Sequence, residues 1–500
     1  MKTSVRSTLR PTGLCALLFL LALTVHPQRR FQSPVERSGF TRLTSCDTLQ
    51  AFLETLDGKG RCTVRRIAQT HKGRSVSSVL VTSSPRFGDD TLKLRVMLFA
   101  QQHGDEPAGK EALTLLLARI AGLDLDRLLS RIDLIIVPQM NPDGAELRQR
   151  RTADDVDLNR NHLLLTSPET RGLHDLFDMW WPEVTMDIHE YGTYSRAWSD
   201  SGFVKSADVQ LGMLTNLNSS GALRSYERDS VFPFISTVMQ KSGYSFHEYI
   251  VGSPADYIRY STTEPNDGRQ SFGILNTLSF IQEGRGGHEL EEGLERRASS
   301  QCVSIEALLA FCAGHSTEIR SLVARERRAI AAGRGLPVIL CMDHFPGGRE
   351  MIIPVRRVPS GTDTVWQVHP LRDRVKPLSA RTLPAAYIVP GELAGVGAIL
   401  DRNHVRREIV SDPRPVEAVA YVIERVQPDT LEDEWHPKPT LRAEKIQRLL
   451  HRGDVVVRTD QTRSLFLAVL LEPESMWGIV KYDGFGSLLK GREYPILRIP

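Results

Sequence analysis

The chain has 500 residues, 41% of them hydrophobic and 25% charged. That is the balance of an ordinary globular protein, long enough for more than one domain. The 63 basic and 60 acidic residues leave a formal charge of +3, which excludes nucleic-acid binding driven by bulk charge, and no run of like charge is long enough for a binding tail.

At the N-terminus, Lys2, Arg6 and Arg10 precede the apolar run "GLCALLFLLALTV", Gly13 to Val25. A basic stretch before an apolar run shorter than the ~20 residues of a spanning helix reads as a secretory signal or short anchor, assigned here to residues 1–27. The expected location is therefore secreted or periplasmic, with membrane contact only if this segment stays uncleaved. Residues 28–60 read as a polar lead-in carrying one helical piece, "CDTLQAFLETL". Five cysteines lie outside the leader: Cys46, Cys62, Cys302, Cys312 and Cys341. They permit up to two disulfides, with Cys46–Cys62 and Cys302–Cys312 the near pairs, or a set of buried thiols.

From Arg61 onward apolar strands alternate with amphipathic helices. The strand candidates are "SVSSVLVTS", "LKLRVMLFA", "RIDLIIVPQM", "EVTMDIHEY" and "NTLSFIQEG"; the spacing predicts a helix over "AGKEALTLLLARIAG". "IDLIIVP" is apolar almost throughout, as a strand covered on both faces must be. This order predicts an α/β fold, a mostly parallel sheet with helices on both sides. A charged helix, "TEIRSLVARERRAIAAG", closes a first domain over 61–332. A smaller α+β domain then occupies 333–500, where "AAYIVPGELAGVGAILDRNHVRREIV" reads strand, helix, strand.

The chemistry gathers at strand ends, where α/β proteins hold ligands. "FAQQHGDEPAG" ends a buried strand and presents His103 and Glu106, with Gly104 and Gly109 suited to an irregular turn. His-x-x-Glu alone is common in surface turns. A third ligand, His189, stands at the end of "TMDIHEYG", with Asp187 two positions before it as an orienting partner. Two imidazoles and one carboxylate suit a hydrolytic zinc site that leaves a coordination position for water. Between them lies "NPDGAELRQRRTADDVDLNRN", which sets Asn159 beside Arg160, and arginine grips a carboxylate through two parallel hydrogen bonds. Glu283 ends the apolar strand "LNTLSFIQEGRGG", where a carboxylate can accept a proton from water and pass it to a leaving amine. His71, His162, His174, His247 and His288 have no matching partner pattern and read as surface or core residues.

His103-x-x-Glu106, "NPDG", "DLNRN", a distant His189 and a strand-end Glu283, in that order, resemble the zinc metallocarboxypeptidase family, over residues of about 60 to 315. The resemblance implies an α/β/α sandwich with a mixed sheet of about eight strands. It implies one Zn2+ on His103, Glu106 and His189, with Glu283 as general base and acid. Asn159 and Arg160 match the residues that bind the substrate's terminal carboxylate. Arg150 best matches the arginine that polarises the scissile carbonyl, because "RRT" resembles the family's Arg-x-Thr; Arg148 and Arg151 are the alternatives if the register slips. The family's mobile tyrosine falls on Tyr260, with Tyr257 the alternative. The position at the base of the side-chain pocket falls near Gly268, between the opposite charges of Asp267 and Arg269, so the preferred side chain is not legible. Residues 333–500 resemble extensions of some bacterial members.

The expected reaction is zinc-dependent hydrolysis of the C-terminal peptide bond of peptides or proteins. Two readings compete: a zinc-dependent deacylase of N-acyl amino acids, whose substrates also carry a carboxylate, and a non-catalytic binding module that keeps the fold. The first would separate from a peptidase in a panel of N-blocked dipeptides against N-acyl amino acids. The second would show as metal binding without turnover.

Overall fold

Alternate residues of the central strands enter different cores, and this period of two builds the three layers. Val96, Leu98 and Ala100 join one apolar cluster, whereas Met97 and Phe99 join another; Leu134 and Ile136 divide from Ile135 and Val137 in the same way. The first cluster takes in the helices Ala108–Gly122 and Leu294–Gly314. The second takes in the helix Pro168–Trp180. The protein is described by a computed structural model over residues 31–59, 61–122, 126–333, 335–368, 370–431 and 434–500. The N-terminal segment read as a signal lies outside the described residues.

The sheet has eight strands: β1 (Cys62–Gln69), β2 (Ser75–Val81), β3 (Leu94–Ala100), β4 (Ile132–Val137), β5 (Val184–Tyr191), β6 (Val209–Gly212), β7 (Phe246–Glu248) and β8 (Leu278–Arg285). Their order is β1-β2-β4-β3-β5-β8-β6-β7. β4, β3, β5 and β8 are mutually parallel, so their carboxyl ends lie side by side; β2 and the pair β6 and β7 run opposite to them, and β1, antiparallel to β2, runs their way again. The fold is the mixed α/β/α sandwich anticipated from the sequence. Four of the five strand candidates that form this sheet start one or two residues inside the quoted stretches.

The lead-in is more than a polar preface. The helix Cys46–Leu56 sets Leu49, Phe52, Leu53 and Leu56 on one face at helical spacing, and all four belong to the first core. Ser45 caps it, its hydroxyl accepting the Thr48 N–H at 3.2 Å. Within the lead-in, the described residues 31–59 therefore pack as part of the layered core rather than standing apart from it.

Residues beyond 333 have their own sheet of six strands, all antiparallel, and their own core around Tyr387, Tyr421, Tyr494 and the helix Ser464–Leu471. The charged helix Ser316–Ala331 joins the two cores, with Ile319 and Val323 in the first and Ile330 in the second. Two short strands stitch this region to the rim of the first sheet's carboxyl ends: Ile352–Arg357 pairs with Phe203–Lys205, and Leu371–Arg372 with Ile258–Tyr260. All five described cysteines are free thiols. Cys302 and Cys312 share one helix, about 15 Å apart along its axis, too far for a disulfide.

Candidate metal and peptide-binding site

The turn after β3 places the first two candidate ligands. The Glu106 N–H donates to the His103 carbonyl at 3.2 Å, which curls the chain so that both side chains face the same way. Gly104 has no alternative here: a Cβ would lie 2.1 Å from the Gly144 carbonyl carbon. β5 brings the third ligand. The His103 Nδ1 is 2.8 Å from Glu106 Oε1, and the His189 Nδ1 is 2.8 Å from Glu106 Oε2. The two Nδ1 atoms are themselves 3.1 Å apart. One ligand atom from each of the three residues lies within 4.8 Å of the others.

Both imidazoles are backed by a carboxylate on the opposite nitrogen, the arrangement that fixes a histidine's tautomer for a metal. His103 Nε2 is 3.2 Å from Asp157 Oδ1. His189 Nε2 is 2.8 Å from Asp187 Oδ1, at an oblique angle that makes it an ion-pair contact rather than a straight hydrogen bond. Asp187 and His189 share a face of β5 because side chains alternate along a strand. The residues present fit a divalent cation. Both Nδ1 atoms and the Glu106 carboxylate turn toward one point, the donor set a divalent cation takes, while the two Nε2 atoms face carboxylates on the other side.

Glu283 stands opposite His189 in the β5–β8 register. Its carboxylate lines the same cavity and has no hydrogen-bond or ion-pair partner among the described residues. Burial pushes this carboxyl up to about 7, against the pull of His189. The glycine beside it serves packing: a Cβ on Gly284 would lie 2.1 Å from Gln301 Nε2 on the helix Leu294–Gly314.

The cavity measures about 310 Å³ and is also lined by Arg150, Asn159, Arg160, Lys205, Tyr249 and Asp267. Arg150 reaches it with Nη1 3.1 Å from His103 Nδ1 and Nε 3.0 Å from Asp157 Oδ2. The alternatives turn outward, Arg148 to Glu291 and Arg151 to Asp155. Asn159 and Arg160 lie on a single 3-10 turn, Leu158–Arg160, capped by Asp157. The Asn159 Oδ1 accepts from the Gly268 N–H at 2.8 Å and from Gln102 Nε2 at 3.3 Å, so its amide NH2 is the end left for a ligand. Arg160 Nε pairs with Glu264 Oε2 at 3.0 Å, which offsets part of its charge.

One expectation needs correcting. Tyr260 does not line the cavity; its hydroxyl accepts the Met213 N–H at 3.0 Å, and Tyr249 occupies the cavity wall instead. Tyr260 is held there because its strand, Ile258–Tyr260, is paired on both sides, with Ile250–Gly252 and with Leu371–Arg372. The opposed charges flanking Gly268 also resolve: Asp267 lines the cavity but is paired with the buried Arg269 at 3.1 Å.

Sequence reasoning missed Asp157, Gln102, Tyr249 and Lys205. Asp157 opens the quoted "DLNRN", so its place was visible but its service to His103 was not. Gln102 donates to Asp187 at 2.8 Å and meets His162 Nε2 at 2.8 Å. His162 in turn meets His174 at 3.0 Å, and burial pushes it down to about 4; of the surface and core roles left open for both histidines, the structure shows the core one. Lys205 sits in the cavity with Nζ 4.5 Å from the centre of the Tyr191 ring. Burial pushes its ammonium down to about 8, with Glu283 opposing.

Residues 49–184 match the zinc carboxypeptidase family. A carboxypeptidase 2 from Trichophyton rubrum is 26% identical over 425 residues, covering 81% of this chain and 77% of the relative. The carboxypeptidase SOL1 of Arabidopsis thaliana is 31% identical over 123 residues, 20% of this chain and 24% of its own. Among solved structures, a metallo-carboxypeptidase from Burkholderia cenocepacia aligns with a TM-score of 0.41 at 20% identity, over 54% of this chain and 69% of its own.

Proposed function

We propose, from the premise that the chain belongs to the zinc carboxypeptidase family, that it removes the C-terminal residue of peptides or proteins with a zinc ion held by His103, Glu106 and His189. A cation in that position supplies Lewis-acid charge for activating water and polarising a carbonyl. The observation that carries the reading is the convergence of three ligand atoms within 4.8 Å beside a carboxylate, Glu283, that has no partner among the described residues.

The chain's own groups divide the remaining work. Arg160 and the Asn159 amide hold the terminal carboxylate, which orients the last peptide bond toward Glu283. Glu283 takes the proton of the attacking water and returns it to the departing amine nitrogen. Arg150 stands within hydrogen-bond distance of the ligand cluster, so its guanidinium offers charge to the oxyanion of the tetrahedral intermediate. His162, neutral in its buried pair with His174, holds Gln102, and Gln102 holds both Asp187 and Asn159.

The test is a peptide library incubated with the purified protein, with and without a chelator, and read by mass spectrometry. Loss of single C-terminal residues, only without chelator, supports the reading. Cleavage that persists with chelator, or products cut internally, contradicts it. Including N-acyl amino acids and C-terminally amidated peptides in the same panel separates a deacylase from a peptidase that requires a free carboxylate.

A further inference from the structure

Nearly every charge that lines the cavity has a counter-charge of its own. Arg160 pairs with Glu264, Glu190 with Arg297, Asp267 with Arg269 and Arg150 with Asp157. Glu106 is engaged by the two histidines. Lys205 is the exception among the lining cations: no hydrogen bond or ion pair holds its ammonium among the described residues. What holds it is aromatic, with Nζ 4.5 Å from the Tyr191 ring centre and 5.8 Å from that of Trp198. Its backbone is fixed from outside the first sheet, because Phe203–Lys205 pairs with Ile352–Arg357 and sets Lys205 opposite Val355. Glu283 attracts this ammonium across the cavity without a hydrogen bond or ion pair between them, and a partly desolvated ammonium with no carboxylate in contact gains from a ligand that brings one. Here a strand from the C-terminal region keeps the ammonium in the cavity, on the wall it shares with Glu283.

We propose that Lys205 is a specificity residue whose ammonium receives the side-chain carboxylate of an acidic residue next to the scissile bond of the substrate. The inference rests on the peptidase reading above. The acidic side chain belongs either to the departing C-terminal residue or to the residue before it; the chemistry is the same and the assay separates them. The preferred substrates would then be peptides with glutamate or aspartate at the last or the next-to-last position.

The experiment uses the full-length zinc-loaded protein and peptides that differ only by glutamate or glutamine, at the last position in one pair and the next-to-last in another. Wild type, Lys205→Met and Lys205→Arg are compared by kcat/KM. A charge-assisted hydrogen bond predicts a glutamate-over-glutamine ratio of about 10- to 100-fold at one of the two positions. The position that shows the ratio identifies the side chain Lys205 meets. Lys205→Met should bring that ratio close to one, and Lys205→Arg should keep most of it. A wild-type ratio near one at both positions, with glutamine peptides cleaved and chelator-sensitive, overturns the role of Lys205 and leaves the peptidase reading standing. A ratio that survives in Lys205→Met overturns it too, even if all rates fall together, since the lysine would then act by supporting Glu283. Absence of chelator-sensitive cleavage of any peptide would instead sink the peptidase reading itself.

Discussion

Replacing Asp187 by asparagine tests the support beneath the metal ligands without disturbing shape. Asp187 is fully buried, with Oδ2 accepting from Gln102 Nε2 at 2.8 Å and Oδ1 2.8 Å from His189 Nε2. Asparagine keeps one acceptor. If it faces Gln102, the new NH2 meets His189 Nε2, which favours the tautomer with its proton on Nδ1, the nitrogen that would bind the cation. If it faces His189, two amide NH2 groups meet at Gln102. Loss of a partner behind a ligating histidine weakens metal affinity by about 10- to 100-fold. The oblique contact at Oδ1 points to the lower end, near tenfold or about 1.4 kcal/mol. Competition against a chromogenic zinc chelator measures this, with circular dichroism to confirm the fold. A native fold with unchanged zinc affinity would refute the claim that Asp187 orients His189 as a ligand.

Three further outcomes follow from the same geometry. Glu283→Gln should lower kcat by about 10²- to 10⁴-fold while the protein still binds one zinc, because the proposed mechanism gives this carboxylate the protons and not the metal; near-wild-type turnover would remove Glu283 from the reaction. Gly104→Ala forces a Cβ to within 2.1 Å of the Gly144 backbone. It should lower stability by about 1–3 kcal/mol and weaken zinc binding with it; an unchanged melting temperature would show that the turn is not tightly packed. Burial pushes the Cys46 and Cys62 thiols up to about 12 and about 11. Iodoacetamide at pH 8 should therefore leave Cys46, Cys62, Cys302 and Cys312 unmodified in the native protein and label all four in urea. A Cys46–Cys62 peptide in a non-reducing digest would contradict the free thiols.

The parts of the site legible in the sequence were those fixed locally. A buried strand announces its own carboxyl end, so His103, His189 and Glu283 were legible as strand-end residues before any fold was known. Arg150 was harder, since three arginines crowd "RQRR", and only the surrounding turn decides which one faces inward. Besides Cys62–Gln69, which was not among the strand candidates, several short strands were missed for an energetic reason. Val209–Gly212, Phe246–Glu248 and Phe203–Lys205 are three or four residues long and exist because neighbouring strands pair with them. Their local sequence carries too little periodicity to register. Tyr260 failed likewise: spacing from Glu283 suggested the cavity, but pairing with Leu371–Arg372, over a hundred positions later, turns its strand into a wall behind it. Lys205 was invisible for the same cause, its place set by Val355.

The account stands on one cation gathered by residues 103, 106 and 189. The most direct measurement is zinc content by plasma mass spectrometry after reloading chelator-stripped protein, with peptide hydrolysis followed as zinc is added. The account predicts one zinc per chain, activity rising to a plateau at one equivalent, and loss of both in His103→Ala/His189→Ala. A full equivalent of tightly held zinc in that double variant, or undiminished hydrolysis by the stripped protein, would contradict it.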